Sequence, residues 1–428
     1  MGIKKKSKKS NLMQNTLMLY ILVFSTYFLN FITIPYQTRI LGPEYFGKVG
    51  FALAFMMYFQ LIVDFGFILS ATETVSKHRQ DKLIISKVLT SVTIIKGILS
   101  VGAFVILMII INTVPFFKAE KILYILTYFS VVSASFLPDF LYRGMEQMKI
   151  ITVRTVVVRT FFVMMIFIFL KEKDDYYLIP LLTLVGNTVA LFVIYYHVIK
   201  YLEIKFIRVN KEFIWKTLKK SSFFFYSRIA STAYTATNTF FIGVFYTPNS
   251  AIVGLFTSSD KLITTAKSIF SPIADSLYPY MVRNKDFKLL KKILLLIMPP
   301  VIIGTTFVGI YAEEFCALIL GEDFREAGKI LRYLMPIVTM SPLVYILGFP
   351  TLSPMGLAKH ANLSVIFAAV IHIVGLISFL WLDIISIRNI CYLTVFTQLY
   401  ILLHRLQVVI TNKNILKSKK IGEVISEK

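Results

Sequence analysis

The sequence is poor in charge, and above all in acidic residues. Only 16% of its 428 residues are charged, and 23 Asp and Glu stand against 46 Lys and Arg. A soluble protein of this length would carry roughly 25% charged residues. The mean hydropathy is +0.72 and 57% of the residues are hydrophobic. Because runs of about 20 apolar residues recur along the chain, the composition indicates a polytopic membrane protein.

Cysteine and histidine are also scarce. Cys316 and Cys391 lie far apart, which excludes a disulfide framework and a paired-cysteine metal motif. The five histidines are scattered, and there is no phosphate-binding glycine loop, HExxH motif or nucleophile elbow. The sequence predicts no enzyme, no metal site and no cofactor beyond a coupling proton or sodium ion. Since no ATPase domain is recognisable, any pumping would draw on an ion gradient or on the substrate's own gradient.

The net charge of +23 is concentrated in short segments between the apolar runs. In a soluble chain this charge would suggest a nucleic-acid partner, but in a membrane protein such residues set the orientation. We therefore predict no nucleic-acid partner. The basic start "MGIKKKSKKS" leads into an apolar run that continues for more than about 20 residues to Pro35, which favours an uncleaved first span over a signal peptide.

Twelve apolar segments predict twelve transmembrane helices. Their approximate ranges are 15–38, 46–69, 86–111, 121–142, 150–170, 176–199, 217–243, 250–272, 290–312, 327–349, 361–382 and 388–410. Alternate connecting segments hold about 31 Lys and Arg on one side and about 9 on the other, where acidic stretches also lie. This bias places both termini in the cytoplasm, as an even number of spans requires.

The first and seventh spans carry similar polar stripes, each on one face of a helix. The stripe residues are Thr26, Asn30, Thr33 and Gln37 in span 1, and Arg228, Ser231, Thr235 and Asn238 in span 7. In spans 2 and 8, Gln60 aligns with Thr264 and Asp64 with Ser268. Small polar residues also hold packed helices together, so each stripe has a purely structural alternative.

With the twelve spans, these stripes predict an all-α membrane protein of two pseudo-symmetric halves of six helices each, in which spans 7 and 8 repeat spans 1 and 2. The predicted divisions are an N-terminal lobe (1–200), a cytoplasmic basic linker (201–220), a C-terminal lobe (221–411) and a cytoplasmic tail (412–428).

The charged residues that lie well inside the predicted spans are mostly cationic. They are Asp64, Lys96, Arg159, Arg228, Asp260, Lys261, Lys267 and Arg332. Ionised groups at membrane depth are costly and usually face a cavity or a partner, and arginine suits phosphate geometry. Simpler roles stay open: Arg159 and Lys267 could reach the cytoplasmic surface, and Arg332 could be interfacial. Lys261 could pair with Asp260 or Asp64.

We therefore predict an anionic substrate bound by cationic and polar side chains. The predicted substrate-binding residues are Arg228, Lys261, Lys267, Asn30, Thr33, Gln37, Arg39, Gln60, Thr235, Asn238 and Thr264. The candidates for ion coupling are Asp64 and Asp260. Arg39 lies two residues beyond the last stripe position, Gln37, and is expected at the outer rim, where it could pair with Glu44.

Two motifs resemble those of a known family. The segment "PYQTRILGPEYFGKVGFALAFMMYFQLIVDFGFILSATETVSKHR", from Pro35 to Arg79, is similar to the N-terminal signature of the bacterial polysaccharide repeat-unit flippases. These are Wzx-type members of the multidrug/oligosaccharidyl-lipid/polysaccharide (MOP) exporter superfamily. The segment "FLPDFLYRGMEQMK", from Phe136 to Lys149, resembles the family's turn between spans 4 and 5.

The resemblance implies a V-shaped pair of bundles in the bacterial plasma membrane, with spans 1, 2, 7 and 8 lining the cavity. The implied cargo is an undecaprenyl-pyrophosphate-linked oligosaccharide for O-antigen, capsule or exopolysaccharide, turned from the cytoplasmic to the outer leaflet by alternating access. Arg228 and Lys261 would contact the pyrophosphate. A monomer in contact with membrane lipid, and with other polysaccharide assembly proteins, is expected.

Two alternatives remain from the sequence. A multidrug exporter of the same superfamily would share the fold but would favour an acidic cavity for cationic drugs. A membrane-embedded polysaccharide polymerase would usually carry a long basic external loop, whereas the longest predicted external loop here has about 15 residues and is acidic.

Overall fold

Helices make up the regular structure of the described chain. The computed structural model describes residues 2–247 and 250–413, and the helices fall into two compact units, Met1–Gly254 and Leu255–Lys428. We call these the first unit and the second unit. The predicted lobe boundaries given above stay a prediction.

In the part of the chain that the structure describes, nine α-helices belong to the first unit. They are α1 (Gly2–Asp64), α2 (Phe67–Lys77), α3 (Lys82–Thr113), α4 (Pro115–Ala119), α5 (Lys121–Ser135), α6 (Asp139–Gly144), α7 (Met148–Phe169), α8 (Leu178–Lys200) and α9 (Lys211–Tyr246).

Eight more α-helices are described after these. They lie in the second unit, except for the first turn of α10, which belongs to the first unit. They are α10 (Ala251–Ser268), α11 (Ser271–Asn284), α12 (Phe287–Ile310), α13 (Ala312–Leu320), α14 (Ala327–Leu347), α15 (Phe349–Leu352), α16 (Ala358–Trp381) and α17 (Ile387–Thr411).

The first two predicted spans are the two halves of α1, which meet at a kink. Gly42 has φ 66° and ψ 174°, a backbone conformation that is open to glycine and strained for other residues. Pro43 follows and has no N–H to continue the helical hydrogen bonds. These two residues therefore form a kink between two helical stretches, in the segment between the first two predicted spans.

Nine segments of the described chain are long and apolar enough to cross a membrane. The segment Leu17–Lys77 contains the first two predicted spans, so ten predicted spans are covered. Spans 7 and 8 correspond to α9 and α10, which have 36 and 18 residues but are more polar. Even 18 helical residues extend about 27 Å. Every predicted span thus coincides with a helix, and the protein is an all-α polytopic membrane protein.

The order of helices repeats along the chain. The second half of α1 breaks at Phe65–Gly66 before α2, and α10 breaks at Ile269–Phe270 before α11. After α2 come a long helix (α3), a short helix (α4) and a long helix that is broken in two (α5 and α6). After α11 the same order recurs as α12, α13, and α14 and α15. Each set of helices ends with two long helices, which are α7 and α8 in the first set and α16 and α17 in the second.

The corresponding helices α3 and α12 also begin in the same way. The Asp81 carboxylate accepts a hydrogen bond from the Ile84 N–H at 2.9 Å, and the Asp286 carboxylate accepts one from the Leu289 N–H at 3.1 Å. An aspartate at this position satisfies an N–H that the helix leaves without a partner. The shared cap adds a local feature to the repeated helix order.

The buried cluster of the first unit joins α2, α3, α6, α7 and α8. Its fully buried members include Phe67, Val75, Leu89, Leu141 and Tyr142. Lipid tails are as apolar as these side chains, so helix association in a membrane depends on close packing and hydrogen bonds rather than on escape from water. The packing of this cluster is what fixes α6 and α7 against the rest of the unit.

Candidate functional site

The residues of the polar stripe on α1 differ in how far they are buried. Thr33 and Gln37 are buried, Thr26 is half-buried, and Asn30 is exposed. The Thr33 hydroxyl donates a hydrogen bond to the Leu29 carbonyl at 2.5 Å, which satisfies it within its own helix.

A buried ion pair lies shortly after the kink of α1. Arg39 is exposed, while Glu44 lies 3.4 Å from the Lys48 ammonium. Lys48 also lies 3.0 Å from Glu120, with both side chains 9% exposed, and the Tyr176 hydroxyl donates to Glu120 at 2.5 Å. The Lys48–Glu120 pair and the Tyr176 hydrogen bond thus link α1, the start of α5 and the segment just before α8.

Asp64, a candidate for ion coupling, has a cationic partner on α3. Its carboxylate lies 3.4 Å from the Lys96 ammonium, and the two side chains are 18% and 8% exposed. Lys96 also donates to the carbonyl of Ser135, the last residue of α5. Because the ammonium carries a full charge, the geometry neutralises Asp64 and ties three helices together. Gln60, one turn earlier, is half-buried.

The structure describes the side chains of some, but not all, of the predicted binding residues in spans 7 and 8. The side chains of Arg228 and Thr235 lie outside the described residues, whereas Asn238 is buried. The side chains of Asp260, Lys261, Thr264 and Lys267 on α10 are half-buried, and both lysines lie within electrostatic range of the Asp260 carboxylate. α10 thus carries two lysines and one aspartate in this region.

The first unit contains a cavity of about 430 Å³ between α1, α5, α6, α7 and α8. We call it the arginine cavity. Its polar lining residues are Thr26, Tyr27, Asp139, Arg143, Arg154, Thr155, Arg159 and Asn187. Three arginines and one aspartate leave two positive charges unbalanced.

Helix geometry explains why these side chains converge. Asp139 and Arg143 lie four residues apart on α6 and therefore share one side of that helix. On α7, Arg154 and Arg159 line the cavity together with Thr155 and Val158, which lie between them in the sequence. Pro138 lacks an N–H for a helical hydrogen bond and disfavours a helical backbone at the residue before it. The helix α5 therefore ends before Pro138, and α6 begins at Asp139. This break turns Asp139 and Arg143 toward α7.

The arginines of the cavity differ in their partners. Arg154 forms a two-pronged ion pair with Asp139, with nitrogen–oxygen distances of 2.5 and 3.3 Å, and it donates to the Thr155 hydroxyl at 3.1 Å. Within residues 2–247 and 250–413, Arg143 and Arg159 form no ion pair or side-chain hydrogen bond. The cavity thus combines one fixed guanidinium with two that keep their donors available.

The two motifs that carry the family resemblance touch each other. Arg79, at the end of the first motif, lies 2.7 Å from Glu146 of the second. A side chain on Gly144 would meet Val75, since a Cβ atom there would lie 2.6 Å from the Val75 Cβ. The motifs therefore encode the packing of α2 on α6, next to the arginine cavity.

The arginine cavity was missed as a binding site from the sequence. Arg159 is among the charges predicted within a span, but the sequence pattern does not distinguish Arg143 and Arg154 from the many basic residues near the span ends. The spacing of Asp139 and Arg143, directly before an arginine-bearing helix, was the available signal. The cavity itself requires α1 and α8 to pack beside α7, which spacing does not reveal.

Known proteins resemble this chain over most of its length. The polysaccharide biosynthesis protein family matches residues 12–285, more than half of the chain. A protein named "Putative O-antigen transporter" from Escherichia coli (strain K12) is 24% identical over 383 residues, which cover 87% of this chain and 90% of that protein. A protein of the same name from Shigella dysenteriae is 24% identical over 368 residues, covering 84% and 91%.

Solved structures show the same fold at low sequence identity. The lipid II flippase MurJ, in an inward closed conformation, has a TM-score of 0.72 and 14% identity, covering 95% of this chain and 91% of that chain. An inward-facing multidrug resistance MATE family transporter of the MOP superfamily has a TM-score of 0.63 and 13% identity, covering 92% and 99%. The fold is therefore that of MOP transporters, and the chain belongs to the polysaccharide biosynthesis protein family, as its two motifs predicted.

Proposed function

We propose that this protein is a flippase for undecaprenyl-pyrophosphate-linked oligosaccharides. The observation that carries the proposal is the surplus of positive charge inside its membrane-spanning helices, at α10 and in the arginine cavity. Such a surplus favours an anionic cargo, because opposite charges attract each other more strongly where water is scarce. The similarity to proteins named as O-antigen transporters supports a polysaccharide precursor as that cargo.

The proposed movement is from the cytoplasmic to the outer leaflet of the bacterial plasma membrane, by alternating access. Both termini would lie in the cytoplasm, as the distribution of Lys and Arg predicts. The protein would act as a monomer, and a proton or sodium gradient could drive it through Asp64 or Asp260. Its relatives are named as transporters rather than as enzymes, and moving a lipid-linked sugar between leaflets requires no catalytic group.

In this mechanism the polar stripes bind sugar hydroxyls and the cations bind the pyrophosphate. Arg228, Lys261 and Lys267 would supply charge from α9 and α10. Hydrogen bonds would come from Asn30, Thr33, Gln37, Arg39, Gln60, Thr235, Asn238 and Thr264. A cationic multidrug substrate would not gain from this arrangement, since like charges repel it.

The test is complementation of a bacterial strain that lacks its own repeat-unit flippase and accumulates lipid-linked repeat units. Expression of this chain should restore surface polysaccharide and remove the accumulated precursor. A panel of strains with different repeat units is needed, because the sugar specificity is spread over many weak hydroxyl contacts. Failure in every strain, with the protein present in the membrane, would contradict the proposal.

A further inference from the structure

The arginine cavity lies within the first unit and extends into the membrane-spanning part of α7. Arg154 and Arg159 lie about 9 and 16 Å along the axis from the start of α7, which is about 33 Å long. Arg143, on α6, lies before that start. The guanidinium groups therefore lead from one end of α7 to its middle.

The partners of a structural arginine in the second unit give a useful contrast. Arg405 is 8% exposed and donates to the Val344 carbonyl, the Ala361 carbonyl and the Ser364 hydroxyl. Its charge is used to tie helices together. Arg159 is half-buried and Arg143 exposed, and the described chain supplies neither with such acceptors.

We infer that the arginine cavity is a binding site for the pyrophosphate of the lipid-linked cargo, separate from the residues of α9 and α10. This inference rests on the proposed function. A pyrophosphate diester carries one negative charge on each phosphate, which matches the two unbalanced positive charges of the cavity. Arginine donates paired, charge-assisted hydrogen bonds to phosphate oxygens.

The remaining lining fits the same ligand. Tyr27, Thr155 and Asn187 add polar groups beside the arginines, while Leu22, Val158 and Ala190 make part of the wall apolar. An apolar wall lowers the local dielectric constant and strengthens the attraction between phosphate and guanidinium. Asp139 holds Arg154 in place and does not cancel the other two charges.

The site would admit cargo from the cytoplasmic side, given the orientation proposed above. Arg143 would meet the pyrophosphate first, and Arg159 would bind it farther along α7. Every cargo molecule carries the pyrophosphate whatever its sugars, so a site for this group would serve cargo of any sugar sequence.

The experiment measures binding of undecaprenyl pyrophosphate to the purified full chain in detergent. Arg143→Gln and Arg159→Gln should each weaken binding about tenfold, because each loses charge-assisted hydrogen bonds. Lys149→Gln is the matched control: it removes one positive charge from an exposed residue of α7 that does not line the cavity, and it should bind like the wild type. Thermal unfolding of each variant checks that it is folded.

Competition with other phosphate compounds shows whether the cavity recognises the pyrophosphate group or any anionic lipid headgroup. Inorganic pyrophosphate should compete with the lipid in the wild type and less well in the two arginine variants, while phosphatidylglycerol should compete weakly. Wild-type affinity in folded Arg143→Gln and Arg159→Gln would overturn the inference, as would equal competition by phosphatidylglycerol. Complementation by the wild type separates the two proposals, because it tests transport without reference to this cavity.

Discussion

Gly254, in the first turn of α10, lies against the carbonyl oxygen of Pro43 in α1. A Cβ atom at Gly254 would lie 1.8 Å from that oxygen, and one at Gly47 would lie 2.7 Å from the Gly254 nitrogen. Contacts this short require backbone to move. The Gly42–Pro43 kink and the start of α10 therefore pack backbone to backbone, as small residues allow in membrane proteins.

Gly254→Ala should lower the thermal stability of the purified protein, because the Pro43 carbonyl cannot retreat without moving α1. Gly304→Ala is the control, since a Cβ atom there meets nothing within 4 Å. Alanine is favoured over glycine in a helix by about 0.5 to 1 kcal/mol, so the control should unfold at the same or a slightly higher temperature. Equal unfolding temperatures for both variants would contradict the close contact.

Gly144→Ala should also destabilise the protein, because the added methyl group would meet the Val75 side chain. Val75→Ala in the same chain makes room, so the double variant should regain part of the lost unfolding temperature. A double variant that is less stable than Gly144→Ala alone would show that the two residues do not touch.

Removing one partner of the Asp64–Lys96 pair should lower the free energy of unfolding by about 3 to 5 kcal/mol, the range found when a buried charge loses its partner. Lys96→Met removes the cation beside the Asp64 carboxylate, and Asp64→Asn removes the anion beside the Lys96 ammonium. The double variant should be more stable than either single variant. A double-mutant cycle measures the interaction between the two residues, by comparing the unfolding temperatures of the wild type, the two single variants and the double variant. If the two single losses simply add up in the double variant, the ion pair does not contribute to stability.

The ion-coupling role of Asp64 has a separate test in transport. Vesicles with an imposed proton or sodium gradient should show reduced gradient-dependent transport for Asp64→Asn. Glu44→Gln is a suitable control, because Glu44 is also a carboxylate of α1 with a lysine partner. Full gradient-dependent transport by a folded Asp64→Asn protein would end the coupling hypothesis.

Arg228→Ala and Lys261→Ala should each reduce surface polysaccharide in the complemented strain, at matched protein levels in the membrane. The double variant should lose most transport, since two charges that contact one pyrophosphate would both be absent. Arg332→Ala is a control, because Arg332 lies near Glu313 and donates to the Gly309 carbonyl. Full complementation by the double variant would rule out the proposed contact.

Hydrophobic runs were enough to predict the helices, because a membrane-spanning segment must satisfy its backbone hydrogen bonds internally. The kink at Gly42–Pro43 was also visible, since glycine and proline have conformational limits of their own. The pairing of Lys48 with Glu120 was not visible, because the two residues are 72 positions apart and meet only when α1 packs beside the start of α5.

The sequence alone determined the membrane class, the twelve helical segments, the repeated order and the two family motifs, because each depends on local composition or spacing. Tertiary structure decided which charges are neutralised. Packing brings Lys96 to Asp64 and Asp139 to Arg154, and it leaves Arg143 and Arg159 at a cavity between helices. The reason is physical: an ion pair forms at distances of a few ångströms, and the folding of distant segments sets those distances.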